Sequence, residues 1–361
     1  FPDNILNSSP TISILMPVRN DASVLGNCLD DIAKQSFEDF ELVVVDDGST
    51  DETPQMLDKI KRQDTRVRII RTSANGIVSA LNTGLAECKG DYIARMDADD
   101  RMEKTRLEKQ LEMMVENPDL DLIGCRVEGF TDSGTFPESG IQYQSWSNSL
   151  ISHEQIERDL FAESPIVHPS FFATRELFNK IGGYSENPWA EDYDVILRAY
   201  GKGAKFGKHP EILLRKYHAP GRLSRSEAMY KRPAMFEAKT HFLLEYGRLN
   251  KRRGVLIVGS GPTGRQAAQS FENREVKLLG FVDNRQGPPD RQVKNRPAWG
   301  FPDLPPAEFL EQFRDVLIVL AIGDATGQRA FSELLQKNCF VENLDFVRVI
   351  YNWLPASGDS A

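Results

Sequence analysis

Three groups of acidic side chains in the 361-residue chain are spaced for chemistry. Asp46 and Asp47 follow the apolar run from Leu42 to Val45, Asp97-Ala98-Asp99-Asp100 follows Tyr92 to Met96, and Glu191, Asp192 and Asp194 open a helical stretch. A carboxylate at a turn is usually solvated or caps a helix. The second group is harder to explain in that way, because its carboxylates repel one another, and a hard divalent cation with oxygen ligands is the common reason to keep such a cluster. The four cysteines, Cys28, Cys88, Cys125 and Cys339, are far apart and show no Cys-x-x-Cys spacing. They read as reduced thiols of a cytoplasmic protein, used as small hydrophobes. Of the five histidines, His153, His168, His209, His218 and His241, none sits in a ligand-spaced pair. Trp146 and Trp189 read as core residues, with a flat apolar surface for a ligand ring as their second use.

Short apolar runs and amphipathic stretches alternate through the first hundred residues and would place these groups. Strands are expected at 12–16, stopped by Pro17, and at 41–45, 67–71 and 92–96, with helices at 25–35, 53–62 and 77–86. Such a parallel sheet binds ligands at the carboxyl ends of its strands, where both Asp groups fall. A helix at 104–116, a strand at 120–125 and a polar stretch at 131–149 follow, and the basic segment 215–253 reads as a linker helix. A second α/β pattern starts at Gly254, passes a Pro-rich loop at 286–306 and has a buried strand at 316–320. The expected domains are 10–245 and 251–350.

Taken together, ILMPVRN (14–20), VVVDDGSTD (43–51), NGIVSALNTGL (75–85), GDYIARMDADD (90–100), VHPSFFATRE (167–176), GGY with AEDYDVILR (182–198) and LLRKYH (213–218) resemble family 2 glycosyltransferases. The resemblance covers residues 10–225 and implies a GT-A nucleotide-diphospho-sugar transferase domain. It implies that Pro17, Val18 and Asp47, with Asp46 as neighbour, hold the nucleotide base, and that Asn75 and Asn82 line the donor pocket. Asp97 would lie near the ribose and metal. Asp99 would coordinate Mn²⁺ or Mg²⁺ bridging the donor diphosphate, with His218 as a further metal ligand or diphosphate contact. Asp192 would be the general base for an acceptor hydroxyl, with inversion at the anomeric carbon. Glu191 and Asp194 point elsewhere on a helix, so at most one of the three acids is well placed. His168-Pro169-Ser170 matches an acceptor-side motif to which no role is assigned. Leu81 stands where the family often has Arg, which removes an ionic contact to phosphate from that position.

In the smaller second domain, Gly259-Ser260-Gly261-Pro262-Thr263-Gly264 follows an apolar strand and opens a helix, and Asp283 ends the next strand. That is the context of a dinucleotide fingerprint, with Gly259, Gly261, Gly264 and Asp283 as candidate nucleotide contacts on a Rossmann-like α/β fold. No histidine lies beyond Gly254 and the sole tyrosine there is Tyr351, so the proton donor of a hydride-transfer enzyme is missing. The two-domain combination resembles, loosely, β-1,3-N-acetylglucosaminyltransferase-like proteins.

The net charge of −9 disfavours nucleic acid as a partner. A mean hydropathy of −0.41 and the lack of a long apolar run describe an ordinary globular chain. The chain opens Phe1-Pro2-Asp3 without an initiator Met and reads as a trimmed segment with no legible targeting signal. The expected function is therefore transfer of a sugar from a nucleotide-sugar donor, UDP-linked, to a glycan, glycolipid or polysaccharide acceptor. An NAD-dependent oxidoreductase or epimerase, or a noncatalytic nucleotide-binding scaffold, centred on Gly259 to Gly264, are the alternatives. The basic segment reads as a solvated face, with peripheral contact to anionic lipid as its second use. Oligomeric state is not legible.

Overall fold

A computed structural model of the protein describes residues 9–132, 134, 136, 138–218, 228–285 and 291–350. Arg222 and Arg225 of the basic segment, the start of the Pro-rich loop and Tyr351 lie outside them. Contacts divide the chain into two compact units. The first comprises Phe1–Ile156, Pro165–Asn187 and Glu191–Arg222, and the second Glu157–Ser164, Pro188–Ala190 and Leu223–Ala361. The helix Arg232–Glu245, placed in the first domain on sequence, therefore clusters with the second unit.

Through the first unit run β1 (Ile12–Val18), α1 (Ala22–Ala33), β2 (Phe40–Asp47), α2 (Thr53–Gln63), β3 (Val67–Thr72), α3 (Ile77–Glu87), β4 (Tyr92–Arg95), β5 (Arg101–Met102) and α4 (Arg106–Glu116). Next come β6 (Leu122–Phe130), α5 (Glu138–Ser149), α6 (His153–Asp159), β7 (Phe172–Thr174), α7 (Arg175–Ile181), α8 (Glu191–Gly201) and β8 (Phe206–Tyr217). The eight strands form one sheet in the order β3-β2-β1-β4-β7-β6-β8-β5. β3, β2, β1 and β4 are parallel, while β7 runs antiparallel to both β4 and β6. β1 and β2 are buried along their whole length, as expected of apolar strands covered on both faces.

The first strand does not stop at Pro17 but runs on to Val18, paired with Asp46. Leu15 O accepts from Met96 N at 3.1 Å, so odd-numbered residues of β1 face β4. Pro17 faces the same side, where β4 has already ended at Arg95, and its missing N–H leaves no ladder bond unmade. The strand order thus opens a gap beside Pro17, at the carboxyl ends of β1, β2 and β4.

The stretch expected to be merely polar holds α5, and β6 extends to Phe130. Polar side chains attach this helix. Asn148 donates to Val127 O at 2.8 Å and accepts from Val127 N at 2.9 Å, while Gln144 Oε1 accepts from Gly129 N at 2.6 Å.

In the second unit, α9 (Arg232–Glu245) precedes β9 (Val255–Val258), α10 (Pro262–Glu272), β10 (Leu278–Asp283), β11 (Gln292–Val293), β12 (Arg296–Gly300), α11 (Ala307–Glu311), β13 (Leu317–Leu320), α12 (Ala325–Lys337) and β14 (Phe346–Arg348). The sheet order is β11-β12-β10-β9-β13-β14, parallel except for β11. Without that edge strand, the order is 3-2-1-4-5 by sequence, a doubly wound strand order. The Pro-rich segment expected to be loop contains the β11–β12 hairpin. Its turn residues Lys294 and Asn295 both have positive φ, 52° and 59°, matching the twist a two-residue hairpin needs.

Candidate active site

The loops after β1 and β2 are laced together by side chains. Asn20 Oδ1 accepts from Thr50 N at 2.8 Å, Asn20 N donates to Ser49 Oγ at 3.0 Å, and Asp51 accepts from Ala22 N and Thr53 N. Gly48 has φ 71°, and a Cβ there would lie 2.8 Å from Ala74 N. Glycine lets the loops after β2 and β3 approach.

Asp46 and Asp47 are buried, at 2% and 4% exposure. Asp46 accepts from Ser49 N at 3.0 Å. Asp47 Oδ1 accepts from Thr72 Oγ1 and Asn75 N at 2.7 and 2.8 Å, and Oδ2 from Gly76 N at 2.8 Å. Burial would raise its pKa, but the bonds from Thr72, Asn75 and Gly76 overcome that and hold it below the usual carboxylate value. These bonds organise the entry to α3. Three bonds fill most of a carboxylate's roughly four acceptor positions, so Asp47 has about one left for a ligand N–H.

Past β4, ligand oxygens of Asp97, Asp99 and Asp100 lie within 4.8 Å of one another. Asp97 and Asp99 are partly exposed; Asp100 is buried and its Oδ1 accepts from Tyr217 N at 2.7 Å, tying this loop to the end of β8. His218, the next residue, is not in the carboxylate cluster. Its N donates to Phe130 O at 2.9 Å and its ring meets Phe136 edge-on at 4.4 Å. Asp21, which the sequence reading passed over, also belongs to this neighbourhood. Burial pushes its carboxyl up to about 6, against a bond from Arg19 N, and Asp99, Asp97 and Asp51 add repulsion. Concentrated oxygen ligands of this kind, mutually repelling when bare, fit a hard divalent cation.

A second omission is Arg95, 3% exposed, whose Nη1 pairs with Asp97 while its Nε has no hydrogen-bond partner. Burial works against its charge, but Asp97, Tyr184 and Glu191 hold its pKa above the ordinary value. The signal for it was a charged residue within an otherwise apolar strand. Asn82 does not present its amide to a donor. It donates to Tyr184 O and accepts from Tyr184 N, both at 2.8 Å. The Tyr184 hydroxyl lies 3.0 Å from His168 Nε2, and His168 Nδ1 lies 3.5 Å from Glu191 Oε1.

The acids that open α8 separate by environment. Asp194 is fully buried, bound by Arg198 Nε at 2.5 Å and Asn187 Nδ2 at 2.8 Å, and Glu191 is buried against His168. Asp192 is the partly exposed one. Pro17 and Val18 are buried, Asn75 is exposed, and Trp146 and Trp189 are buried at 3% and 4% exposure. The cysteines are free thiols, three buried and Cys339 exposed.

In the second unit a cleft opens where β9, β10 and β13 end. Val258, Val282, Phe301 and Ile322 line it together with Asp283 and Asp324. Asp283 Oδ2 accepts from Ser260 Oγ and from Arg291 Nη2, and Oδ1 accepts from Arg285 N at 3.1 Å. Of the three candidate glycines, Gly259 needs its φ of 104°, and a Cβ on Gly264 would lie 1.8 Å from Gly259 O. Gly261 meets nothing within 4 Å and has φ −68°.

Parallel strands carrying acidic loops at their carboxyl ends, closed by a mixed half in which β7 and β5 run antiparallel to their neighbours, define a GT-A fold. Residues 13–182 match the family model for glycosyl transferase family 2. An uncharacterized glycosyltransferase of Haemophilus influenzae is 29% identical over 225 residues, covering 60% of this chain and 68% of that protein. The O-antigen biosynthesis glycosyltransferase WbnJ of Escherichia coli is 29% identical over 244 residues, 67% of this chain and 90% of WbnJ. Among solved structures, TarS 1-349 of S. aureus in complex with UDP-GlcNAc has a similar fold, with TM-score 0.54 and 21% identity over 66% of this chain and 67% of that one.

Proposed function

We propose that the protein is an inverting, metal-assisted transferase that moves a sugar from a UDP-linked donor to a hydroxyl of a glycan, glycolipid or polysaccharide. The observation that carries this reading is the convergence of Asp46, Asp47, Asp97 and Asp99 on the carboxyl ends of three adjacent parallel strands. Asp47 and the backbone at Pro17 and Val18 would hold the base. Asp97 and Asp99 would hold Mn²⁺ or Mg²⁺. Such a cation neutralises charge on a departing diphosphate. Asp192 would take the acceptor proton as the hydroxyl oxygen attacks the anomeric carbon opposite the leaving group; its partial exposure, beside two committed neighbours, supports that role. WbnJ, by its name an O-antigen biosynthesis glycosyltransferase, favours a polysaccharide or related glycan as acceptor. Calorimetric titration with UDP, with and without Mn²⁺, is the direct test. Metal-dependent binding that disappears in Asp99→Ala is expected, and binding indifferent to both overturns the metal site. No helix among the described residues is long and apolar enough to cross a membrane.

A second reading concerns the smaller unit. Gly261 is required neither by backbone conformation nor by packing, and beyond the N-cap position it fills, a bare Cα at a helix N-terminus suits close approach of a phosphate. We infer nucleotide binding in the adjoining cleft. Asp283, already holding Ser260 and Arg291, would shape that site more than bind ribose. Saturable binding of a nucleotide that Asp99→Ala leaves intact and Gly261→Val abolishes supports it; no binding beyond the first site refutes it.

A further inference from the structure

His168 has no part in the reaction as written, yet it is 6% exposed and linked to two polar partners. It starts a 3₁₀ turn, His168–Ser170, that Gln110 Nε2 anchors by donating to Ser170 O at 3.0 Å. A neutral imidazole offers one donor and one acceptor. An ionised Glu191 can only accept, which puts the proton on Nδ1 and leaves Nε2 to accept from the Tyr184 hydroxyl. Burial, with Arg95 adding to it and Glu191 and Asp97 opposing, pushes the ring down to about 4, so it stays neutral near pH 7.

Each partner is itself held. Tyr184 is clamped through its backbone by Asn82 on α3, and its ring packs on Phe178 of α7 at 5.6 Å. Glu191 is the first residue of α8, directly before Asp192. An apolar ring would pack here without the cost of burying two polar nitrogens, so the use of histidine lies in its directed bonds.

We propose that His168 is a positioning residue for glycosyl transfer: by bridging Tyr184 and Glu191 it fixes the first turn of α8 and with it the direction of the Asp192 carboxylate. The inference rests on Asp192 being the base. Because displacements of about 1 Å at a reacting group can cost about 10²-fold in rate, a slack bridge would show in turnover without touching the donor site.

The test is a double-mutant cycle on metal-dependent hydrolysis of a panel of UDP-glucose, UDP-galactose and UDP-GlcNAc, with water as acceptor, using whichever the wild type turns over fastest. His168→Gln, which cannot reach Glu191 as Nδ1 does, should lower kcat roughly 10–100-fold. KM and calorimetric UDP·Mn²⁺ affinity should be unchanged. His168→Asn, whose amide overlays Nδ1, should recover most of the loss. In an Asp192→Asn background, His168→Gln should add nothing, since its effect passes through Asp192. Additive losses, or weakened UDP·Mn²⁺ binding, would overturn the proposal. Full turnover in Asp192→Asn removes the base reading and this one with it, whereas a dead Asp192→Asn beside a full-speed His168→Gln removes this inference alone. Tyr184→Phe deletes only one oxygen and should cut kcat in the same direction, which preserves the test if a His168 variant fails to fold.

Discussion

At the scale of single residues, charge and exposure divide labour among side chains that look alike in sequence. Asp192 and Asp194 are two positions apart, yet one is partly exposed and the other is locked to Arg198 and Asn187. Asp192→Asn should therefore keep metal-dependent UDP binding while transfer falls by about 10²–10⁴, the usual contribution of a positioned base. Steady-state turnover alongside UDP calorimetry measures both. Asp47 carries a different burden. An amide there would turn its NH₂ towards a backbone N–H, so Asp47→Asn should cost about 1–3 kcal/mol in urea unfolding and weaken UDP binding together. The acidic motifs were legible because they end apolar runs. Arg95, Asp21 and the Asn82–Tyr184 contact were not, since their roles depend on partners that only folding brings near, such as residues 102 positions apart.

At the scale of elements, most strands and helices of the first hundred residues follow from apolar periodicity alone. The exceptions have physical causes. β1 passes through Pro17 because no neighbour asks for its N–H, and α5 is held by amide side chains as well as by the apolar packing of Tyr143 and Trp146. Lys208 on β8 shows how polar that attachment is: fully buried, its Nζ donates to Ser147 O, Ser147 Oγ and Pro165 O. Burial pushes the ammonium down to about 7 from 10.5. Between those values the unfolded chain binds more protons than the native one, so stability should rise as pH climbs from about 7 to 10.5. Urea midpoints across that range check it, and Lys208→Met should flatten the dependence. In the second unit, Gly264→Ala forces a methyl onto Gly259 O and should lower the melting temperature, while Gly261→Ala should leave it unchanged.

At the scale of the whole molecule, family resemblance and folding unit do not coincide. The family match ends at residue 182, and the sequence suggests a cut near 245–253, but the second unit recruits Glu157–Ser164 and Pro188–Ala190 from far upstream. Asp159 pairs with Arg348, Lys239 Nζ donates to Ala162 O at 2.8 Å, and Asn343 Nδ2 donates to Glu157 O at 2.7 Å. A chain ending at residue 222 would take Arg348, Lys239 and Asn343 away from Asp159 and these two carbonyls. It should melt lower than the full protein, as scanning calorimetry would show, despite containing every residue assigned to glycosyl transfer.

Two of the amide clamps have a further consequence. Asn82 and Asn148 each give a backbone peptide the donor and acceptor that a neighbouring strand would supply. For Val127, within a sheet, that is unremarkable. For Tyr184, outside any helix or strand, it means that its amide proton should exchange with deuterium slowly, on the timescale of a strand interior, and that Asn82→Ala should release it.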